Sequence, residues 1–359
     1  MATKTQFYSL RVREVRRETP DTVSVALEVP EDLRDIFQFA AGQYLTLRAQ
    51  LGGEDVRRSY SICAAPHEGE LRVAIKKVPG GVFSTFANER LHPGDELLVM
   101  PPQGRFTTAL DPAQSRLYVA FAAGSGITPV ISILKSVLHT EPRSRFLLFF
   151  GNRGFDHVIF REELELLKNQ HPDRLAVYHV FSREAIGAEL FWGRLNADKC
   201  RAYASKLFRP EEVDAFFLCG PEEMIFDIKA TLEDMGVPAE KILFELFTTA
   251  SSARKPPRPI VPAADVVEAS VTVIQDGMTF DFVLPSDGST LLDAAMRAGA
   301  DLPFSCKGGV CSTCKAKVLE GDVEMEVCYG LEPDEIAAGF VLTCQTHPRS
   351  KRVVVSFDV

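Results

Sequence analysis

Four cysteines towards the end of the chain restrict its fold more than any other feature of the sequence. They are Cys306, Cys311, Cys314 and Cys344. The first three follow the spacing C-x4-C-x2-C with small residues between them, and the fourth stands apart, which is typical of the ligands of a [2Fe–2S] cluster. A loop of small residues lets backbone N–H groups approach the cluster sulfurs closely. The spacing therefore predicts a module that carries one electron at a time.

Two other uses of cysteine fit the sequence less well. A zinc site usually has two C-x2-C pairs, and this stretch has one. A disulfide framework requires an oxidising compartment, and the N-terminus has charged residues where a signal peptide would have an apolar core. The remaining cysteines are scattered, as reduced thiols are: Cys63, Cys200, Cys219 and Cys328. We therefore expect a cytoplasmic protein.

Composition and charge narrow the class of protein further. The 359 residues predict two or three domains, and an apolar content of 46% with 25% charged residues is that of an ordinary globular protein. No run of about 18 apolar residues occurs, so no membrane span is expected. Residues 266–359 hold 14 of the 49 acidic residues but only 7 of the 40 basic ones. This acidity argues against nucleic acid and favours a basic protein partner, although an acidic surface can also serve solubility alone.

The order of patterns along the chain predicts three domains and one linker. Short β-patterned runs such as Val23–Leu27 and Leu71–Ile75 predict an antiparallel β-barrel over residues 1–109. Apolar strands alternate with helical patterns, of which Val130–Leu138 is one. This alternation predicts a parallel α/β sheet over 110–250. Residues 251–264 hold four prolines and predict a semi-rigid linker. The remaining residues, 265–359, predict an α+β (β-grasp) domain that includes a hairpin after Gly321.

Three segments in the first two domains have the composition of phosphate-binding or ring-binding turns. They are Arg57-Arg58-Ser59-Tyr60-Ser61, Pro79-Gly80-Gly81-Val82-Phe83-Ser84-Thr85 and Gly124-Ser125-Gly126-Ile127-Thr128-Pro129. Glycines allow the backbone to approach a phosphate, and a helix that follows them adds a partial positive charge. Taken singly, each segment is also compatible with an ordinary tight turn or hairpin end.

Together these segments resemble the ferredoxin–NADP reductase superfamily, and the last domain resembles plant-type ferredoxins. The resemblance also covers Cys219-Gly220-Pro221 and Phe244-Glu245-Leu246-Phe247, and the motifs occur in the expected order. It implies a site for FAD formed by Arg58, Ser59, Tyr60, Ser61, Gly80, Gly81, Val82, Phe83, Ser84, Thr128 and Phe247. It implies a site for the nicotinamide nucleotide formed by Gly124, Gly126, Ile127, Thr128, Arg153, Ser182, Arg183, Cys219, Gly220 and Pro221. The [2Fe–2S] ligands would be the four cysteines named above.

The resemblance further implies which residues take part in hydride transfer and which nucleotide is used. Ser61, Cys219 and Glu245 are the candidate catalytic residues, although Cys219 could be a core thiol and Glu245 a surface carboxylate. Ser182 and Arg183 fit the 2′-phosphate of NADPH, so NADPH is expected over NADH.

A flavin can take two electrons as hydride and release them singly, so the three sites together predict an electron converter. The expected acceptor is a separate di-iron oxygenase component. Another oxygenase, a cytochrome or a hybrid-cluster protein is the alternative, and a cluster-bearing protein without turnover is a third reading.

Overall fold

The computed structural model describes residues 6–185, 187–247 and 266–358. Two compact units make up the chain, one of residues 1–56 and 60–247 and one of residues 57–59 and 248–359. The predicted linker, 251–264, lies outside the described residues. No described helix has the length and the apolar character that a membrane crossing requires.

An antiparallel sheet of six strands opens the first unit. Its strands are β1 (Tyr8–Thr19), β2 (Thr22–Glu28), β3 (Tyr44–Leu51), β4 (Glu54–Ser61), β5 (Leu71–Lys76) and β6 (Glu96–Val99). They lie in the order β4-β3-β6-β1-β2-β5. A bridge between Ile62 and Val73 joins the two edge strands, which closes the sheet into the barrel that the sequence predicted. Helix α1 (Val82–Glu89) follows β5.

The barrel closes because its strands supply apolar side chains to one common interior. Leu10, Val25, Leu45, Val73 and Val99 are all fully buried there. The period of two in strands such as β5 directs alternate side chains inward. Strand β1 was harder to recognise in the sequence because charged residues occupy most of its outward positions.

A five-stranded parallel sheet forms the rest of the first unit, as predicted. Its strands are β7 (Leu117–Ala123), β8 (Arg145–Asn152), β9 (Leu175–Phe181), β10 (Ala215–Gly220) and β11 (Ile242–Leu246). The crossover helices are α2 (Ile127–Thr140), α3 (Arg161–Gln170), α4 (Ala197–Lys206) and α5 (Glu222–Asp234). The strand order is β11-β10-β7-β8-β9, so β8 and β9 are added on one side of β7 and then β10 and β11 on the other. The order of the strands therefore reverses at β7. In sheets of this kind, ligands bind at the carboxyl ends of the strands beside the reversal.

The second unit is built around a mixed sheet. Its strands are β12 (Glu268–Gln275), β13 (Met278–Pro285), β14 (Lys315–Glu320), β15 (Val323–Met325), β16 (Phe340–Leu342), β17 (Thr346–Pro348) and β18 (Arg352–Ser356). Its helices are α6 (Leu291–Arg297) and α7 (Pro333–Ala337). Five strands lie in the order β13-β12-β18-β14-β16, and β15 pairs with β17. Helix α6 packs its buried leucines on this sheet and leads the chain into the cysteine loop.

Local signals predicted some parts of this unit correctly and one incorrectly. Ser289 and Thr290 are both of the residue types that cap helices. The structure uses Thr290, whose side chain accepts a hydrogen bond from the backbone N–H of Asp293. The hairpin predicted after Gly321 is wrong. Strand β14 instead pairs with β16 and β18, while β15 pairs with β17. Gly321 cannot signal this arrangement because the partners come from later in the chain.

Candidate functional site

The carboxyl ends of three neighbouring parallel strands bring the predicted nucleotide residues together. The glycine turn Gly124–Gly126 follows β7, Cys219 and Gly220 end β10, and Glu245 lies near the end of β11. Cys219 and Glu245 are register partners on adjacent strands. These ends lie beside the reversal of strand order, which is the usual ligand position in such a sheet.

Gly126 allows the turn after β7 to approach the end of β10 closely. A Cβ atom at position 126 would stand 2.0 Å from the carbonyl oxygen of Cys219, closer than any real contact. Gly124 has φ +54°, a left-handed conformation that glycine adopts without strain. The limited space therefore explains Gly126, and the left-handed backbone conformation explains Gly124.

A hydrogen bond joins the barrel to the parallel sheet at this edge. The hydroxyl of Ser61, at the end of β4, donates to Oε2 of Glu245 at 3.0 Å. Burial raises the pKa of Glu245 to about 8, and the bond from Ser61 opposes this shift only in part. Glu245 is therefore mainly uncharged at neutral pH, so the pair forms a neutral hydrogen bond at this edge.

Two further predicted residues lie near Glu245: Cys219 is its register partner on β10, and Phe247 follows β11. The Cys219 side chain is fully buried, and burial together with the Glu245 carboxyl raises the pKa of its thiol well above the usual value. Phe247 is half-buried and packs against the core of the parallel sheet. Cys219 thus contributes an uncharged thiol and a backbone carbonyl that touches the glycine turn.

The second glycine segment forms a compact turn at the start of α1. The N–H of Val78 donates to Oγ of Ser84 at 3.2 Å, and that hydroxyl contacts the Gly81 carbonyl at 3.3 Å. A Cβ atom on Gly81 would lie 2.4 Å from the same hydroxyl, so the turn requires glycine. The ring of Tyr60 packs against Phe83 with 5.6 Å between centroids. The turn is therefore held next to the strand that carries Tyr60.

In the part of the chain that the structure describes, no side chain caps α1 or α2 at its N-terminus. The first N–H groups of a helix attract anions when they are left open in this way. Thr128, in the first turn of α2, uses its hydroxyl to bond the carbonyl of Ser125 at 2.9 Å. Both glycine segments can therefore accept phosphate groups.

The ends of β8 and β9 place two arginines side by side. The N–H of Arg183 donates to the carbonyl of Arg153 at 2.9 Å, and Ser182 donates in the same way to Asn152 at 2.9 Å. The side chains of Arg153, Ser182 and Arg183 are all exposed. Two guanidinium groups and a hydroxyl at one edge suit a phosphate monoester.

Two further residues at this edge were missed in the sequence. Lys76 ends β5, pairs with Asp21 at 3.7 Å, and would lie 3.8 Å from a Cβ atom on Gly124. Its ammonium group can therefore reach a phosphate at the glycine turn, and its position just before Gly80 was an available signal. The second residue, Asn152, ends β8, and the sequence carried no signal for it.

Four of the five cysteines of the second unit come together as two pairs. The thiols of Cys306 and Cys311 hydrogen-bond to each other, and so do those of Cys314 and Cys344. Within the described ranges, no three His, Cys, Asp or Glu side chains converge as the ligands of one metal ion would. Two pairs of thiols are the donor set that a two-iron cluster needs, with four cysteines in total.

Backbone donors surround the first of these sulfurs. The N–H groups of Gly308 and Cys311 point at Sγ of Cys306, at 3.3 and 3.4 Å. The Cys311 thiol and these N–H groups lower the pKa of Cys306 to about 6. Lys307 and Ser312 both have positive φ, 50° and 56°, which bends the loop around the sulfurs. The loop thus stabilises thiolate charge, as the protein part of an iron–sulfur site must.

Family models match all three predicted parts of the chain. Residues 9–108 match the oxidoreductase FAD-binding domain, residues 121–230 the oxidoreductase NAD-binding domain, and residues 273–349 the 2Fe-2S iron-sulfur cluster binding domain. These matches identify an NAD(P)H-dependent flavin and iron–sulfur oxidoreductase. The glycine turns and uncapped helices described above fit the phosphates of FAD and of a nicotinamide nucleotide. The paired cysteines fit a [2Fe–2S] cluster.

Relatives of known function match the chain over almost its full length. It is 44% identical to one of the subunits of the 1,2-phenylacetyl-CoA epoxidase of Escherichia coli K12, over 99% of this chain and 98% of the relative. It is 36% identical to the ferredoxin reductase component of the 3-ketosteroid-9-alpha-monooxygenase of Rhodococcus rhodochrous, over 97% and 96%.

Solved structures share the fold at lower sequence identity. Phthalate dioxygenase reductase matches with a TM-score of 0.60 and 20% identity, over 98% of each chain. A type IV self-sufficient cytochrome P450 monooxygenase matches with a TM-score of 0.69 and 22% identity, over 97% of this chain and 41% of that one. With the full-length relatives, these findings show that the chain belongs to the ferredoxin–NADP reductase superfamily, in the branch that carries a C-terminal plant-type [2Fe–2S] domain.

Proposed function

We propose that the protein is the reductase component of an oxygenase and passes electrons from NADPH through FAD and a [2Fe–2S] cluster to a di-iron partner. One observation carries this proposal: a single chain holds the buried Ser61–Glu245 hydrogen bond at the carboxyl ends of a parallel sheet and also two pairs of cysteine thiols. The first would suit a hydride-accepting site and the second a one-electron site. The full-length likeness to the Escherichia coli relative supports phenylacetyl-CoA epoxidase as the oxygenase, in phenylacetate breakdown.

The flavin site combines groups from the barrel and from the parallel sheet. We assign the pyrophosphate to Arg58 and to the turn Gly80–Ser84, the ring system to Tyr60 and Phe247, and the reactive edge to Ser61. Ser59, Thr128 and the N-terminus of α2 complete the proposed set. When bound, FAD exchanges electrons one or two at a time, and the [2Fe–2S] cluster exchanges them one at a time.

The chain's own task in hydride transfer is alignment. The donor carbon of nicotinamide must approach the flavin to about 3–3.5 Å, and small displacements are costly. The proposed nucleotide residues Gly124, Gly126, Ile127, Gly220 and Pro221 would fix the phosphates and the ring of the donor. Glu245 and Cys219 would then line the nicotinamide side with uncharged groups.

The cluster is proposed to bind through the two cysteine pairs, with Cys306 and Cys311 on one iron and Cys314 and Cys344 on the other. Cys328 is half-buried and is left out of this set.

All eight cysteines are free thiols, which suits the reducing cytoplasm that we propose as the protein's location. We also propose the domain limits 1–109, 110–250 and 265–359.

NADPH is the proposed donor because Ser182, Arg183 and Arg153 lie together at the ends of β8 and β9, where they would bind a phosphate. We expect Arg183→Ala to raise KM for NADPH by about 10- to 100-fold, since a charge-assisted pair with a phosphate contributes about 1.5–3 kcal/mol. KM for NADH should change less than about twofold, because NADH lacks the 2′-phosphate. Steady-state kinetics with both nucleotides measures the two values. An equal rise in both would rule out this assignment.

Glu245 gives a second prediction, about stability. Its pKa is raised from 4.5 to about 8 in the folded chain, so the folded state keeps a proton that the unfolded state releases. The contribution of Glu245 to the free energy of unfolding is therefore constant below pH 4.5, falls by at most about 1.4 kcal/mol per pH unit up to pH 8, and then levels off. Glu245→Gln should lack this decline, because glutamine does not titrate.

Urea unfolding of both proteins at pH 5, 6, 7 and 8 measures this difference. The advantage of Glu245→Gln should grow with pH. A constant difference across this range would mean that Glu245 titrates normally.

A different acceptor is the alternative function. The acidic excess of residues 266–359 suits any basic electron acceptor, including a cytochrome or another oxygenase. Reconstitution decides between them: purified reductase should support NADPH-dependent epoxidation of phenylacetyl-CoA by the oxygenase component of the epoxidase. If it supports only cytochrome reduction, the proposed partner is wrong while the reductase function stands.

A further inference from the structure

Asn152, the last residue of β8, has a side chain that the proposed function does not yet use. The residue is only 8% exposed, and neither its amide oxygen nor its amide nitrogen has a hydrogen-bond partner. Buried amide groups are normally bonded, because an unmade bond costs the full desolvation of the group. A pair of unmade bonds at the carboxyl edge of the sheet therefore points to a ligand that supplies them.

The backbone of Asn152 is firmly placed, so only its side chain lacks partners. Its carbonyl accepts the N–H of Ser182 at 2.9 Å and contacts the Ser182 hydroxyl at 3.3 Å. It is also the register partner of Phe181 on β9. The amide is thus presented from a rigid strand end, which is a good support for a binding group.

The strand order indicates which part of a bound dinucleotide would lie next to Asn152. Strand β8 lies between β7, which carries the proposed diphosphate turn at Gly124, and β9, which leads to Arg183. Neighbouring strands are about 4.8 Å apart, so the two phosphate sites are separated by about 10 Å of sheet edge. In NADPH, the group between the diphosphate and the 2′-phosphate is the ribose of the adenosine half.

We propose that the Asn152 amide binds the hydroxyl groups of this adenosine ribose. A primary amide offers both a donor and an acceptor, and a sugar hydroxyl needs both. This inference rests on the proposed function, because it assumes that a nicotinamide dinucleotide lies along this edge. It assigns Asn152 a contact shared by NADPH and NADH, whereas Arg183 contacts only the 2′-phosphate.

Ligand contact requires a small local movement. The two amide atoms have almost no solvent contact, so neighbouring side chains must move when the ribose enters. Arg153 and Ser182 adjoin Asn152 and are exposed. These exposed side chains can move aside when the ribose enters, with or without a 2′-phosphate, and so uncover the amide.

Asn152→Leu tests the proposal, because leucine has a similar size and cannot hydrogen-bond. Calorimetric titration should show about tenfold weaker binding of both ADP and adenosine 2′,5′-bisphosphate, the loss expected for one or two hydrogen bonds. The matched variant Arg183→Ala should weaken only the bisphosphate. Reduced nicotinamide mononucleotide, which has no adenosine, should reduce the flavin of Asn152→Leu at the wild-type rate.

A purely structural role for Asn152 gives different results. Since leucine removes two unbonded polar atoms, the melting temperature should stay equal or rise, whereas a structural amide would lower it. Wild-type ADP affinity in folded Asn152→Leu would overturn the inference and leave the reductase function intact. Failure of the wild-type protein to bind either adenosine nucleotide or to oxidise NADPH would overturn both.

Discussion

Replacing Cys344 by alanine should reduce NADPH-dependent cytochrome c reduction by at least about 100-fold while leaving ferricyanide reduction within about twofold of the wild type. Cys344 is buried and pairs with Cys314, so its loss leaves one iron without half of its proposed ligands. Ferricyanide is small and can take electrons from the flavin directly. Cytochrome c is a basic protein and should take them from the acidic iron–sulfur module.

Cys328→Ala is the matched control for this experiment. Cys328 lies in the same unit and is half-buried, but it does not belong to either cysteine pair. Both acceptors should be reduced at wild-type rates by this variant, and its visible spectrum should keep the iron–sulfur absorbance. Cytochrome c reduction that survives in Cys344→Ala would show that electrons leave the chain without the cluster. A loss of the cluster in Cys328→Ala would instead change the ligand assignment.

Ser61→Ala should slow the reduction of bound flavin by NADPH by about 100-fold, which is typical for the loss of one hydrogen bond aimed at a reacting group. Ser61 ends β4 and donates to Glu245 at 3.0 Å, so its hydroxyl fixes the position of the neutral carboxyl at the proposed site of hydride transfer. Anaerobic stopped-flow measurement of flavin bleaching gives the rate. NADPH affinity should change little, because the proposed phosphate contacts remain.

Two further variants define what the Ser61 result means. Glu245→Gln keeps an uncharged side chain, so its rate near pH 7 should fall much less than that of Ser61→Ala. Ser136→Ala is the control: this buried hydroxyl in α2 donates to the Ser132 carbonyl at 2.8 Å, and its removal should leave the rate unchanged. If Ser136→Ala slowed bleaching as much as Ser61→Ala, the effect would reflect general loss of packing and would contradict the assignment.

The sequence predicted most of the fold because the main elements carry local signals. Apolar runs over Leu117–Ala122 and Phe146–Phe150 correspond to β7 and β8, and the glycine turn after the first run marks the start of α2. The Thr290 cap of α6 was also recognisable. Such signals arise from residues only a few positions apart, which is the range that side-chain periodicity and capping report.

The unpredicted features depend on residues far apart in the chain. Ser61 and Glu245 are 184 positions apart, so no spacing could reveal that they hydrogen-bond. The pairing of β15 with β17 has the same cause. Asn152 was missed for a further reason, since an unbonded amide is recognised only when every neighbour is known. The family resemblance anticipated the individual site residues, but the way in which they meet had to come from the fold.

Anaerobic reduction of the purified protein by NADPH, followed by absorbance and electron paramagnetic resonance together, tests the central claim most directly. The account predicts that flavin absorbance bleaches first and that the resonance of a reduced [2Fe–2S] cluster then appears in the same molecules. In Cys344→Ala the flavin should bleach and no such resonance should follow. A cluster that stays oxidised in the wild-type protein after its flavin has been fully reduced would contradict the account.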